Sequence, residues 1–497
     1  MGIPSYYKKL IDSIPGLISK EVQEVDWLFM DFNCLIYHCI QDTYDTPDTI
    51  ESTIINSVIT YCLKVIKEVN PKGVFIAIDG VVPMAKMRQQ RLRRFKSVWI
   101  RQHEGTTDKW DKNAITPGTV FMKKLKARLE IMCSTHHWIL SSSDEPGEGE
   151  HKIIAEWRKG TYKGNYAIYG LDADLIVLSL LGHECYNLNK IWLFREEINA
   201  GKMTYDSQGN EIFNWFSINA LKNWLIAPFK LNMRRTFILN YCFTLSILGN
   251  DFLPSSLGLK MREDGHAKLL TIIQTISSKI CIIHPDTLDI SIKGVIELFR
   301  ILSIDESSRI CTYITKKRMA ANHSRELNIG ENNWPLLHIE EEILMNKREL
   351  SSDWEEKYKT LCEYNEDIHK EYMYGIQWIW AYYTGKAVCF NWFYPYKLPP
   401  LWAWIVEWLA THNPTFSDQI LITATDIRPV EQLALVLPLE SWSLIPDCVE
   451  RSFPLLAPQY YPSTFSFDSV GKRYFWECEA VIPVPTILEL KEIMKQV

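Results

Sequence analysis

The sequence predicts an α/β fold with a doubly wound, mostly parallel sheet. Three short apolar runs, WLFMDFN (27–33), GVFIAIDG (73–80) and YAIYGLDADL (166–175), are typical of buried strands. Nearly unbroken apolar runs of this length suit strands that are covered on both faces. Between the first two, SVITYCLKVIKEV (57–69) spaces its apolar residues as a helix does. This alternation predicts βαβ units, with helices on both sides of one sheet.

All three runs lead into carboxylates. Asp31 follows the first apolar run, Asp79 the second, and Asp172 and Asp174 the third. Ligands of open α/β sheets gather outside the carboxyl ends of the strands. We therefore expect these four side chains to converge on one rim of the sheet.

Three further acids are expected at the same rim. The stretch DEPGEGEHKIIAEW (144–157) predicts a turn into a helix, with Glu148 and Glu150 near its first turn. The apolar stretch 237–254 predicts a helix that stops at Gly-Asn-Asp, which places Asp251 at its end.

Seven carboxylates on one rim would repel one another unless cations neutralised them. Mg²⁺ or Mn²⁺ fits, because hard cations take oxygen ligands. Two such ions about 3.5–4 Å apart can activate a water and hold the leaving oxygen of a phosphodiester. In extended chain, Asp172 and Asp174 would face the same side, and Gly149 would relieve crowding between Glu148 and Glu150. Singly, each acid could be a helix cap or a surface charge, but the set predicts a catalytic site for two metal ions.

A basic helix is predicted directly after Asp79. The chain as a whole is acidic, with 54 Lys and Arg against 60 Asp and Glu, so any nucleic-acid role must rest on a local patch. In AKMRQQRLRRF (85–95), one helical face carries Lys86, Gln90, Arg93 and Arg94. Arg forks, a Lys charge and an amide on one face predict a phosphate pocket beside the metals. A solvated basic face is the alternative. The remaining cations of this helix lie on other faces, and whether they contact RNA stays open: Arg88, Arg91, Lys96 and Arg101.

Composition predicts three stretches of chain: an α/β region at 1–257, a mostly helical connector at 258–371 and an aromatic-rich region at 372–497. The 12 Cys form no CxxC pair and no cluster at zinc spacing, which predicts reduced thiols. No signal peptide opens the chain and no run of about 18 apolar residues predicts a membrane span. We expect a cytosolic or nuclear protein that does not bind membranes.

Several motifs together resemble the XRN family of eukaryotic 5′→3′ exoribonucleases. The resemblance covers nearly the whole chain, and the motifs occur in the family's order. They are MGIPSYYKKL, DGVVPMAKMRQQRLRRF, ITPGT, PGEGEHKI, YGLDADLI, LFREEI and GNDFLP in the first conserved region, then GIQWIWAYYTGKAVCFNWFYPYKLPP, EQLALVLP and VGKRYFWECEAVIP in the second.

The resemblance implies a PIN- or flap-nuclease-like sheet with helical insertions, and a second region packed around the active site in one globular core. It implies a compact member without long C-terminal tail domains. The implied activity is processive, Mg²⁺-dependent removal of 5′-mononucleotides from single-stranded RNA with a 5′-monophosphate. The seven acids then occupy the family's metal positions, and Lys86, Gln90, Arg93 and Arg94 its 5′-phosphate pocket.

The family also stacks the first base between aromatic side chains, a contact that tolerates all four bases. Tyr37 stands where the family usually has His, and Phe390 and Trp392 stand at the two Trp positions of its SWxW motif. We expect a stacking pair from these three. The resemblance further implies a cytoplasmic monomer that works with the decapping machinery in mRNA decay. Two other functions stay open: a flap-type 5′ DNA nuclease and a non-catalytic RNA-binding scaffold.

Overall fold

A seven-stranded sheet forms the centre of the described part of the chain. The computed structural model describes residues 3, 5–41, 49–199, 202–322, 339–412, 427–446 and 452–495, with the side chains of 320–322 and 339 excepted. The strands of the sheet, in chain order, are β1 (Ile18–Ser19), β2 (Trp27–Asp31), β3 (Gly73–Ala77), β4 (Ile139–Ser141), β5 (Tyr166–Tyr169), β6 (Ile191–Glu196) and β9 (Phe213–Ser217). Three small hairpins pair β7 (Ile198–Asn199) with β8 (Lys202–Met203), β10 (Met345–Asn346) with β11 (Glu349–Leu350), and β12 (Ser466–Asp468) with β13 (Glu479–Val481).

The strand order is β1-β9-β6-β5-β2-β3-β4. Pairing is parallel from β6 through β5, β2 and β3 to β4, and only β9 among these seven strands runs against the rest. From β2 the chain moves outward through β3 to β4 and then returns to β5 on the other side of β2. The predicted doubly wound, mostly parallel α/β fold is confirmed, and its switch point lies between β2 and β5.

Helices cover both faces of the sheet. The α-helices of the first half are α1 (Tyr6–Ser13), α2 (Asn33–His38), α3 (Ile50–Val69), α4 (Met84–Glu104), α5 (Val120–His136), α6 (Gly149–Arg158), α7 (Asp174–Tyr186), α8 (Ile218–Ile226) and α9 (Leu231–Leu245). Those of the second half are α10 (Gly265–Ser277), α11 (Ile292–Ser303), α12 (Glu306–Asn322), α13 (Ile339–Leu344), α14 (Trp354–Leu361), α15 (Ile368–Tyr383), α16 (Trp402–His412), α17 (Pro429–Val436), α18 (Phe453–Leu456) and α19 (Ile487–Met494).

Alternate residues of the strands enter different cores, as the two-residue period of a strand requires. Phe29 packs in a core with α6, α7 and α9, whereas Leu28 and Met30 pack in another with α3 and α5. The first core continues without a break through α10, α11, α15 and α16. The stretch predicted as a connector therefore contributes helices to the same core as the sheet, and the domain boundaries at 257 and 371 stay predictions.

Helix α4 joins the sheet region to the last part of the chain. Its residues Met84, Met87, Leu92 and Phe95 pack in a third core with α17, α18 and α19. Within the described residues, no helix is long and apolar enough to cross a membrane. All eleven cysteines in that part of the chain are free thiols.

Candidate active site

Three adjacent strands deliver acids to one rim of the sheet. Asp31 is the last residue of β2 and pairs in register with Ala77 of β3, two residues before Asp79. On the other side of β2, Asp172 follows β5 by three residues. Because the strands are parallel and neighbouring, their carboxyl ends place these acids around the switch point, as predicted from the sequence.

Helix α6 brings two glutamates to the same rim, and a glycine makes that approach possible. Glu148 is the N-cap residue of α6 and Glu150 lies in its first turn. A Cβ atom on Gly149 would lie 2.8 Å from Asp31 Oδ1 and 2.9 Å from the carbonyl oxygen of Ala77. Only glycine therefore lets the start of α6 sit directly against the ends of β2 and β3.

The expected extended geometry of the Asp-Ala-Asp motif is wrong. Ala173 is in the right-handed helical region and Asp174 is the first residue of α7. Asp174 Oδ1 accepts a hydrogen bond from the Ile3 backbone N–H at 2.9 Å. A carboxylate at a helix N-terminus interacts favourably with the unpaired N–H groups of the first turn, which the two-residue spacing alone does not reveal.

Asp251 reaches the rim from the far end of α9. A short 3₁₀ turn follows α9, and Gly249 at φ +89° turns the chain toward the site. Lys86 of α4 bridges Asp251 and Glu148, with its Nζ 2.9 Å from Asp251 Oδ2 and 2.6 Å from Glu148 Oε2. The ammonium predicted to bind phosphate thus lies among the carboxylates.

Burial and mutual repulsion oppose ionisation of most of these acids. Burial, followed by the Asp79 and Asp172 charges, raises the pKa of Asp31 well above its usual range. Burial, then Asp251 and Asp172, raises the pKa of Asp174 to about 7. Asp172 and Asp251 are the contrast: although burial opposes ionisation, Lys86 and other positive charge lower the pKa of both, that of Asp251 to about 2.

The donor set fits hard divalent cations, because buried oxygen ligands that repel one another are neutralised by such ions. Glu148, Glu150 and His151 each offer one ligand atom, and these atoms all lie within 4.8 Å of one another. Of the seven predicted acids, those whose pKa is raised by burial share this requirement for positive charge: Asp31, Asp79, Glu148, Glu150 and Asp174.

The sequence interpretation missed the side chains that fix Asp79. Asn33 Nδ2 donates to Asp79 Oδ2 at 2.9 Å, and the Gly149 N–H donates to Asp79 Oδ1 at 2.7 Å. Lys152 lies behind them and donates to the carbonyls of Ile78 and Ser142 at 2.6 and 2.7 Å. The sequence carries no local signal for this role, because both acceptors are backbone carbonyls outside α6.

Two tyrosines of α15 also belong to the site and were missed. The Tyr382 hydroxyl donates to Glu148 Oε1 at 2.8 Å, and its ring stacks on His151 with centroids 3.4 Å apart. Tyr383 is close enough to Asp174 and Glu150 that burial and these charges raise its pKa well above its usual range. The second region therefore completes the wall of the acidic rim.

The predicted phosphate face of α4 carries polar atoms without partners. Gln90 and Arg94 are 8% and 6% exposed, yet Gln90 Oε1 and Arg94 Nη1 have no hydrogen-bond partner within the described residues. Burial lowers the pKa of Arg94 to about 10, against the opposing effect of Tyr37. Arg93 is exposed. A guanidinium donor that is buried without an acceptor, as at Arg94 Nη1, is costly, and this is the pattern expected of an anion site.

The other cations of α4 have intramolecular partners. Arg91 is fully buried and donates to the carbonyls of Leu435, Pro483 and Tyr460. The remaining three likewise have protein partners: Lys96 donates to the Phe475 and Cys478 carbonyls, Arg88 pairs with Glu479, and Arg101 pairs with Asp108.

The three predicted stacking residues differ in environment. Tyr37 is 41% exposed and lies near Arg94. Trp392 is half-buried, donates to Glu371 Oε2 at 2.9 Å and packs on Trp378 with centroids 5.4 Å apart. Phe390 is half-buried beside α4, and its carbonyl accepts from the Met84 N–H at 2.7 Å. The stacking roles stay predictions, and Tyr37 has the most open ring.

Two family models match this chain. The model described as XRN 5′-3′ exonuclease N-terminus matches residues 1–197, and the one described as Xrn1 helical domain matches residues 346–497. The chain belongs to the XRN family. The acidic rim lies largely within the first XRN match, and the tyrosines that wall it lie within the second. The family resemblance inferred from the motifs is confirmed.

The chain is similar to XRN proteins that are longer than it is. The chain is 28% identical to human 5′-3′ exoribonuclease 1, covering 100% of this chain and 34% of that protein. It is 24% identical to Schizosaccharomyces pombe 5′-3′ exoribonuclease 1 over 97% of this chain and 47% of the relative. It is 25% identical to Arabidopsis thaliana 5′-3′ exoribonuclease 2 over 100% of this chain and 67% of that protein. The chain thus spans between a third and two thirds of these relatives.

Proposed function

We propose that the chain is a Mg²⁺-dependent 5′→3′ exoribonuclease that removes 5′-mononucleotides from single-stranded RNA with a 5′-monophosphate. One juxtaposition carries the proposal. Lys86 connects the rim of carboxylates to the face of α4 on which Arg94 Nη1 is buried without a partner in the part of the chain that the structure describes. A site for metal ions and a site for an anion therefore adjoin, as hydrolysis next to a terminal phosphate requires.

The acids named above would hold the metal ions. Two bound divalent ions would supply an activated water and neutralise the leaving oxygen of the scissile phosphodiester. Asn33 and the Gly149 N–H hold Asp79 in place for this task, and Tyr382 holds Glu148. Pre-positioned ligands reduce the reorganisation needed when the ions and substrate arrive.

The basic face of α4 would select the end of the RNA. Arg94 and Arg93 offer guanidinium forks to the phosphate oxygens, and Gln90 offers its amide. A 5′-hydroxyl would leave these donors unpaired, and a cap or triphosphate would exceed the space for one phosphate. Cleavage after the first nucleotide leaves a new 5′-phosphate on the RNA, so each product end is again a substrate.

Single substitutions in the rim test the proposal. Asp174→Asn keeps the size of the side chain and an acceptor for the Ile3 N–H but removes one negative ligand. We expect decay of 5′-monophosphate RNA in Mg²⁺ to fall about 10³-fold, because several kcal/mol of metal-dependent stabilisation is lost. Glu68→Gln, at an exposed position of α3, is the control and should have no effect.

Two results would contradict the proposal: intact 5′-monophosphate RNA after incubation with wild-type protein and Mg²⁺, or normal turnover by Asp174→Asn. Faster cleavage of flapped DNA than of RNA would favour a flap-type DNA nuclease. RNA binding without decay would favour a non-catalytic scaffold.

We also propose, on the family resemblance alone, that the protein acts as a cytoplasmic monomer in mRNA decay after decapping. Cells without the protein should then accumulate decapped mRNAs with 5′-monophosphate ends. Unchanged levels of such RNAs would count against this role.

A further inference from the structure

A cleft of about 230 Å³ borders the active site along a second flank of α4. It meets the active site at Asp251 and Arg93, and its other walls come from 255–263, Tyr313 and 471–479. None of the contacts described above for the acidic rim or for Gln90 and Arg94 accounts for this space.

Positive charge in the cleft exceeds what its carboxylates neutralise. Six cations line it: Arg93, Lys96, Lys260, Arg262, Lys472 and Arg473. Its acids already have partners, as Glu263 has in Arg473 and Lys316 at 2.8 and 3.1 Å. Lys472 has no ion pair among the described residues, and its charge adds to the effect of burial in lowering the pKa values of Lys96 and Lys260 to about 8. The Glu477 carboxylate acts on both Lys96 and Lys260, but it does not offset burial and the Lys472 charge at either ammonium group.

Three polar groups of the cleft lack partners as well. Asn250 Nδ2, Arg473 Nε and the Tyr313 hydroxyl are inaccessible to solvent and have no hydrogen-bond partner within the described residues. Tyr313 is only 4% exposed. Trp476 adds a half-buried ring to the wall, with the Arg262 guanidinium 4.6 Å from its centroid. Unpaired donors, excess cations and an aromatic ring are together the features that bind a nucleotide.

We propose that this cleft binds the released 5′-mononucleotide, with its phosphate toward Lys260 and Lys472 and its base toward Trp476. The inference rests on the proposed function. A processive nuclease must discharge each product while the rest of the RNA stays bound. A second cavity of about 190 Å³ shares Lys260, Glu263 and Tyr313 with the cleft. None of the seven carboxylates lines this second cavity, so the cleft joins the active site at Asp251 to a cavity outside it, which suits a route of exit.

The test separates the cleft from the catalytic pocket. The wild-type protein is first saturated with a 5′-monophosphate RNA analogue whose first linkages carry a methylene in place of the 3′ oxygen, so that it cannot be hydrolysed. 5′-UMP is then titrated by calorimetry, with anisotropy of the labelled analogue confirming that the RNA stays bound. We expect UMP to bind this complex. Lys472→Gln should weaken the binding of UMP at least about 10-fold through loss of a charged contact.

Two controls sharpen the test. Lys472→Arg keeps the charge and should retain most UMP binding, and Lys163→Gln, which removes an exposed lysine outside the cleft, should change nothing. Trp476→Ala should weaken UMP but leave binding of inorganic phosphate unchanged. Thermal unfolding verifies that each variant is folded.

Several results would overturn the assignment: no UMP binding to the RNA-saturated protein, displacement of the RNA by UMP, equal affinity for UMP and phosphate, or UMP binding that is insensitive to Lys472→Gln. RNA decay is measured on the same preparation. Absence of decay would contradict the proposed function, whereas normal decay without UMP binding would overturn the cleft assignment alone.

Discussion

The two faces of α4 carry the same kinds of side chain but differ in what those side chains contact. Arg91 is satisfied by three backbone carbonyls of the last part of the chain. Arg94, three residues on and almost as buried, retains an Nη1 atom without a partner within the described residues. Buried positive charge therefore indicates a ligand site only where protein acceptors are missing.

Removal of Arg91 should have the largest effect on stability. Arg91→Met preserves much of the side-chain volume but leaves three carbonyls without their donor. We expect the free energy of unfolding to fall by on the order of 3–5 kcal/mol, as for other broken buried polar networks. Urea unfolding checks this value, and a loss below about 1 kcal/mol would show that the contact face of α4 is not structural.

Removal of Arg94 should affect activity more than stability. Arg94→Gln removes a buried charge without a full set of partners, so stability should stay within about 0.5 kcal/mol of wild type or rise. The KM for 5′-monophosphate RNA should rise about 10–100-fold through loss of a charged contact. Steady-state kinetics measure this rise. A fall in stability as large as that of Arg91→Met would show that Arg94, like Arg91, stabilises the fold, and would contradict the difference between these two residues.

The carboxylates of the acidic rim should make the stability of the metal-free protein depend on pH. Asp174 has a folded pKa of about 7 against 3.8 for the ordinary carboxyl. Between pH 4 and 7 the folded state therefore holds more protons, and stability falls as the pH rises. In EDTA we expect Asp174→Asn to reduce this fall by on the order of 1 kcal/mol, because coupled acids share the effect. Urea unfolding at pH 5 and 7.5 tests it, and an unchanged slope would contradict it.

Removal of Arg101 should have the smallest effect on stability and activity. It pairs at 2.7 Å with Asp108, and the two side chains are 27% and 31% exposed. Partly exposed ion pairs contribute little, so Arg101→Gln should change stability by less than about 1 kcal/mol. RNA decay should be unaffected. A clear loss of activity would mean that RNA contacts extend along α4 beyond the predicted pocket.

Local rules predicted much of this site. Asp31, Asp79 and Asp172 could be placed because parallel strands share an edge, and the helical period grouped Gln90 with Arg94. The roles of Arg91 and Lys96 could not be predicted, since their acceptors lie more than 300 residues away in the chain. The position of Lys86 among the carboxylates could not be predicted either, because it depends on where the chain after α9 places Asp251. Asp174 was placed correctly at the rim, but its expected extended conformation was wrong because α7 begins at this residue.

The proposed 5′-phosphate pocket can be tested by comparing, in Mg²⁺, the decay of identical RNAs with 5′-monophosphate, 5′-hydroxyl, 5′-triphosphate and capped ends. We predict that wild-type protein degrades the monophosphate RNA fastest, and that Arg94→Gln removes most of its advantage over the hydroxyl RNA. Equal decay of all four RNAs by the wild-type protein would contradict a 5′-phosphate pocket on α4 next to the acidic rim.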